Sequence, residues 1–376
     1  MILRVFGLSG VVTVAALVAA FLYGGWEGAV VCLILGILEI SLSFDNAVIN
    51  ATVLERMSVF WQRMFLTVGV LIAVFGMRVL FPLVIVWATA GLNPKEALDL
   101  ALNPPPDGAE TFADGSPSYE TLLTDAHPQI AALGGMFLLM LFLNFVFSQD
   151  RLHWMRHVER PLARMGLLPN ISVMVALAAL LTTASLMPSD QRATVLIAGI
   201  VGLLLYLVIN GLTSLFESGD ALDDADDENP ADPTAAGRRP KPVQVAGKAA
   251  FFLFLYLEML DASFSFDGVI GAFAITSDPI LIALGLGFIG AMFVRSITIY
   301  LVRAGTLSEY RYLENGAHWA IGALATILLV SLHVEVSELV TGLVGVCFIG
   351  AAVISSIRAN RTEARSAAPA TPAGRA

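Results

Sequence analysis

The chain is 376 residues long, 57% hydrophobic and only 14% charged, with a formal net charge of −10 at pH 7. A mean hydropathy of +0.78 excludes an ordinary soluble domain. The surplus acid lies in two polar loops and inside apolar runs, and no basic stripe or aromatic–basic platform is present, so no nucleic-acid partner is expected.

Apolar runs of about 18 residues or more, each enough to cross a hydrocarbon core of roughly 30 Å, recur along the sequence. Residues 1–23 carry one arginine and an apolar run before Gly24-Gly25. This resembles a signal peptide, but the run passes straight into further spans and reads as a retained anchor. A second run, 27–54, is followed by a short basic turn with Arg56 and Arg63 and by a span over 64–91. Residues 93–127 are acidic and rich in Pro and Gly, which predicts a solvent loop with a helical turn around Glu96–Leu102. A span over 128–148 leads into a basic segment, 149–169, in which His153 and His157 stand one helical turn apart. We read that segment as a solvated face against lipid headgroups rather than a metal pair.

Spans follow at 170–188 and 193–215, then a low-complexity stretch from 217, first acidic and then basic, that predicts disorder. Further spans are expected at 248–274, 280–303, 317–333 and 339–357, ahead of a small-residue tail. Cys32 and Cys347 each lie within an apolar run and read as small hydrophobes, with no disulfide framework or zinc spacing. The organisation is thus an anchor (1–26), a first half (27–148), a basic segment with two spans (149–216), a linker (217–247), a second half (248–357) and a disordered tail (358–376).

The expected fold class is an all-α polytopic membrane protein of about ten transmembrane helices. With the N-terminus inside, the inner segments collect Arg4, Arg56, Arg63, the 151–164 cluster, Arg238, Arg239, Lys241, Lys248, Arg303, Arg311 and the tail arginines. The outer segments hold only Lys95 and Arg192, so the charge bias supports both the count and cytoplasmic termini.

One stretch occurs twice. Residues 39–48 align with 261–270, matching Glu39 to Asp261, Ser41 to Ser263, Ser43 to Ser265, Phe44 to Phe266 and Asp45 to Asp267. Both copies lie inside apolar runs, where a charged group costs about 2.5–3.5 kcal/mol even on lenient insertion scales and usually marks an ion or substrate pathway. The copies fall in the second and seventh expected spans, which cross in opposite directions, so the chain reads as an inverted-topology repeat of the kind found in secondary transporters. Arg78 and Arg295 lie in the next span of each half and read as charge-compensating groups rather than ligands.

On an ideal helix Glu39 and Asp45 are separated by roughly 9 Å along the axis and about 120° around it, too far to close on one ion. Two antiparallel copies crossing near Leu42 and Phe264 set Glu39 level with Asp267 and Asp45 level with Asp261. Ser41, Ser43, Ser263, Ser265 and Asn46 add oxygens, and Glu258, one turn before Asp261, reads as a further ligand or gate. An all-oxygen set without His or Cys suits hard cations such as Mn²⁺, Mg²⁺ or Ca²⁺. Crowded acids repel one another and hold protons, which offers exchange of protons for metal.

At these residues the sequence resembles the TerC-like family of integral membrane proteins, within the lysine-exporter superfamily, over roughly residues 27–357. The resemblance rests on Glu39-x-Ser41-x-Ser43-Phe44-Asp45-Asn46-Ala47, on Asp261-Ala262-Ser263-Phe264-Ser265-Phe266-Asp267-Gly268, and on the arginine after each. It implies a bacterial inner-membrane protein, linked to tellurium resistance by family name and to manganese export by chemistry. The ion-binding residues it implies are Glu39, Asp45, Asn46, Asp261 and Asp267. Gly268 stands where the first copy has Asn46 and puts two equivalent ion sites in doubt.

The resulting expectation is a non-enzymatic, proton-coupled exporter of a divalent cation, Mn²⁺ favoured, with no permanently bound cofactor. Its partners are the lipid bilayer, the cation and protons, with homo-oligomer formation left open. An exporter of an organic solute and a non-transporting metal-handling partner are the alternatives. An intramembrane aspartyl hydrolase is disfavoured, because neither aspartate has a Gly-x-Gly-Asp context.

Overall fold

The structure is a computed structural model that describes residues 2–80, 83–84, 86–87, 92–105, 109–149, 151–225, 245, 247–273, 275–276, 278–304, 310–334, 336 and 338–367. The side chains of Ser41, Asp45, Ser265 and Asp267 lie outside what is described. Among the described residues the regular structure is helical, apart from two isolated bridges, Met57–Val245 and Thr111–Pro117.

Helix α1 (Ile2–Leu42) is bent at Gly24-Gly25, where Gly25 takes φ 64° and ψ −152°, a conformation open to glycine. A Cβ on Gly28 would stand 2.8 Å from the Ala20 carbonyl oxygen. Eight residues of straight helix would separate those positions by about 12 Å, so α1 doubles back on itself. Its first arm is tied down by the buried Ser9, whose hydroxyl donates to the Met292 carbonyl at 3.0 Å.

Ser43 (φ −96°, ψ 15°) interrupts the helix between α1 and α2 (Phe44–Glu55). The continuous second span expected over 27–54 is therefore broken inside the motif itself. Helix α3 (Val59–Leu71) runs into a wider π-helical stretch, Ile72–Leu80. The loop expected over 93–127 holds the helical turn foreseen there, α4 (Pro94–Leu102), started by a capping box of Asn93 and Glu96. It also holds α5 (Tyr119–Asp125), which begins at a Ser118 cap and was not foreseen.

Helix α6 (His127–Phe147) is the most enclosed span, with 72% of its most apolar window buried. It packs on α8 (Ile171–Leu186), α9 (Arg192–Ala225), α10 (Gly247–Phe273) and α12 (Leu313–Ser331). Small residues permit the approach: a Cβ on Gly202 would lie 2.1 Å from the Leu133 carbonyl oxygen. Between α6 and α8, α7 (Arg156–Met165) lies with Arg156, His157, Arg160 and Arg164 exposed. In the second half, Pro279–Ile282 and a π-helical stretch, Ala283–Ala291, lead into α11 (Met292–Ala304), and α13 (Glu338–Ala367) closes the described chain.

Two segments expected to be unstructured begin as helix. α9 continues to Ala225, inside the linker that begins at 217, and Val245 at the linker's far end bridges the α2–α3 turn; 226–244 lie outside the described residues. α13 likewise runs to Ala367, well into the expected tail. Extending an existing helix adds one hydrogen bond per residue fixed, and these extensions contain good helix formers such as Ala, Leu, Arg and Glu.

Seven runs among the described residues are long and apolar enough to cross a membrane. The first, Val5–Ile40, is 36 residues long and contains the bend. α8, at 16 residues, falls short of that length, and α10 carries Lys248, Glu258 and Asp261 along its apolar sequence. Many large apolar side chains point outward, Leu22 at 79%, Trp26 at 74% and Leu186 at 69% exposure, as a lipid-facing surface requires.

Candidate functional site

The two copies of the repeated stretch meet. Glu39, near the end of α1, is 1% exposed, and its Oε1 accepts from the Ser43 hydroxyl at 2.8 Å and from Arg78 Nη2. Arg78 lies in the π-helical continuation of α3 and donates through Nη1 to the Ala73 carbonyl at 2.7 Å. The Glu39 side chain fills a slot without Cβ atoms. A Cβ on Gly268 would stand 2.9 Å from its Oε2, and one on Gly290 would stand 2.2 Å from its Cγ.

The second cluster centres on α10. Asn46, at 1% exposure on α2, donates from Nδ2 to Asp261 Oδ1 at 3.1 Å. Arg295, on α11, reaches Glu258 Oε1 at 3.5 Å and Asp261 Oδ2 at 3.7 Å with the same nitrogen, Nη2. Its other end is anchored on α3: Nη1 donates to the Phe65 carbonyl at 2.7 Å, and the guanidinium lies 4.0 Å over the Phe65 ring. Gly69 leaves the space for this pairing, since a Cβ there would come within 2.6 Å of both Arg295 Nη1 and Glu258 Oε1. Glu258 Oε2 and Asp261 Oδ2 are buried without a hydrogen-bond donor among the described atoms.

The order of these contacts carries the geometry. Going from Glu39 to Asn46 along the first copy, the partners on the second run backwards from Gly268 to Asp261. The two stretches therefore cross antiparallel, with a buried acid at each end of the crossing.

The expected ligands divide accordingly. Glu39, Asn46, Asp261 and Glu258 are brought into these two clusters, and Arg78 and Arg295 pair with their carboxylates. Ser43 donates to Glu39, whereas the Ser263 hydroxyl donates at 3.0 Å to the Met259 carbonyl of its own helix and lies beside Gly134. Ser41, Asp45, Ser265 and Asp267 fall outside the described side chains. Among the described residues no group of three or more His, Cys, Asp and Glu is close enough to hold a metal. Sequence reasoning missed Phe65, Gly69 and Gly290; the run Gly285-Leu-Gly287-Phe-Ile-Gly290 was the available sign of close helix approach.

Two cavities border the helices that carry these clusters. One of about 490 Å³ lies between the end of α2, the middle of α9 and the starts of α10 and α12, lined by Glu55, Arg56, Asn210, Glu314 and His318 among others. Ile49 and Tyr256, which also line it, are three and two residues along the chain from Asn46 and Glu258. The other, about 270 Å³, has Arg78 at its wall and is otherwise almost wholly apolar, with Leu98, Val269 and Phe288.

Taken together, the apolar runs, the lipid-like exterior and the buried acid–arginine clusters define an all-α, multi-pass membrane protein. The chain belongs to the family described as protein of unknown function (DUF475), whose model matches residues 44–363 and so takes in Asp45, Asn46 and the whole second copy. No curated protein and no solved structure matches the chain.

Proposed function

We propose that the protein is a membrane transporter that exports a divalent cation, Mn²⁺ favoured, through an acidic midplane site contributed by both motif copies, with protons as the exchanged species. The observation that carries this reading is the antiparallel crossing, in which Glu39 lies against Gly268 and Asn46 bonds Asp261 with carboxylates buried on both sides. The helix break at Ser43 supports it, since discontinuous helices at the membrane midplane are a recurrent way to build ion sites. So does the donor chemistry, because carboxylate and amide oxygens without His or Cys suit hard cations.

In this reading α1 makes two passes, α8 and α10 one each, and the chain crosses ten times as an inverted-topology repeat. Both termini are cytoplasmic, in the inner membrane of a bacterium, as the TerC-like resemblance implies. The polar cavity of about 490 Å³, which borders the start of α10, then opens to the cytoplasm.

The test is flux into proteoliposomes carrying a metal-sensitive dye, with Mn²⁺, Ca²⁺, Mg²⁺ and Zn²⁺ compared under an imposed pH gradient. Wild type is expected to move Mn²⁺, and Asp45→Asn and Asp267→Asn each to abolish the movement. Absence of flux for every divalent cation from correctly folded protein overturns the reading in favour of an organic solute or a non-transporting role.

A further inference from the structure

The two ends of the crossing are equivalent in the repeat but not in chemistry. Glu39 and Asp261 occupy matching positions, as do Asn46 and Gly268, and each matching pair makes the matching contact. At one end a short acid is reached by a long amide; at the other a longer acid reaches over a glycine.

The charge balance differs as well. Among the described side chains, one carboxylate meets one guanidinium at the Glu39 end, and Oε1 takes both Arg78 and Ser43. At the other end Glu258 and Asp261 share a single guanidinium nitrogen at 3.5 and 3.7 Å, and each keeps one buried oxygen with no hydrogen-bond donor among the described atoms. A desolvated carboxylate oxygen without a donor is costly, so this end is poised for a further positive partner. The surroundings agree: the polar cavity is lined by Tyr256, two residues before Glu258, whereas Arg78 borders the apolar one, through which a hydrated ion passes poorly.

We propose that the Asp261–Glu258 end is the single cation-binding half of the site, while Glu39 and Arg78 form a fixed ion pair beside it. The proposal rests on the transport reading above and sharpens it. Glu258 Oε2 and Asp261 Oδ2 face the ion, Asn46 orients Asp261 through its other oxygen, and water completes the shell of a hard cation. Arg295 keeps its hold on the Phe65 carbonyl and ring while Nη2 gives way to the metal. Among the described side chains, the second copy therefore supplies the carboxylates of this end, and the first copy supplies the amide that holds one of them.

The experiment is a titration of full-length protein in lipid nanodiscs with Mn²⁺ alone, following the paramagnetic resonance signal of the free ion. One Mn²⁺ per chain is expected. Glu258→Gln and Asp261→Asn are each expected to weaken binding about ten-fold or more, and Glu258→Asp to weaken it less. Melting curves establish that the variants are folded, and the wild-type stoichiometry decides the matter even where one is not. Two Mn²⁺ per chain, or wild-type affinity in folded Glu258→Gln, overturns this assignment and leaves the transport reading standing. Mn²⁺ binding by no form of the protein, together with absent flux, overturns both.

Discussion

Gly268 looked in the sequence like the loss of a ligand. In the structure it is where the other copy's acid goes, with Glu39 Oε2 only 2.9 Å from the place a Cβ would occupy. Glu39 is one methylene longer than its counterpart Asp261, and the glycine opposite accommodates that length, so the two differences compensate each other. Gly290 closes the other side of the same slot more tightly. Gly290→Ala is therefore expected to destabilise the protein by about 1–3 kcal/mol through overpacking against Glu39, read as a lower melting temperature in lipid nanodiscs. Gly211→Ala, whose Cβ would meet nothing within 4 Å, is expected to leave the melting temperature unchanged or slightly raised.

At the scale of elements, the acid site depends on departures from regular helix. Ser43 interrupts the first motif helix, and two π-helical stretches, one containing Arg78 and one ending shortly before Arg295, bring the arginines to the carboxylates. A buried acid outside the site shows what a fully satisfied carboxylate looks like in this molecule. Glu159, on α7, is 0% exposed and accepts from the Trp154 amide at 2.9 Å, from Trp319 Nε1 at 2.9 Å and from Asn315 Nδ2 at 3.4 Å. It joins the basic segment to α12, with Arg151 3.9 Å away and laid over the Phe145 ring. Glu159→Ala removes the acceptor of the Trp154 amide and of Trp319 Nε1 and the counter-charge of Arg151, and is expected to cost about 3–5 kcal/mol, with Glu159→Gln costing less. Thermal unfolding of the three proteins in one lipid composition measures the difference.

For the whole molecule, the basic side chains argue one orientation and the apolar exterior argues a bilayer around it. A single cysteine at the exposed Asp114, in a background lacking Cys32 and Cys347, is expected to react with a membrane-impermeant maleimide added outside intact cells. A cysteine at the exposed Arg160 is expected to react only after permeabilisation. The reverse pattern inverts the topology and moves the polar cavity of about 490 Å³ to the outer face.

The sequence by itself determined the helical class, the membrane setting and the presence of two acidic copies, because buried charge and apolar length are local properties that composition exposes. It also made Arg78 and Arg295 legible as partners of the acids, since charge in an apolar run needs a counter-charge. Only the tertiary structure decided which acid meets which arginine, and that Gly268, Gly290 and Gly69 are the spaces in which they meet. Those depend on how helices distant in sequence cross, and a glycine's use as a slot is invisible until its neighbour is in place. The bend at Gly25 and the break at Ser43 likewise emerged only in the structure, since a glycine pair permits a positive φ without requiring it and the repeated motif reads equally well as unbroken helix. What separates the two ends of the site is likewise tertiary: among the described side chains, one guanidinium is matched to a single carboxylate and the other divided between two.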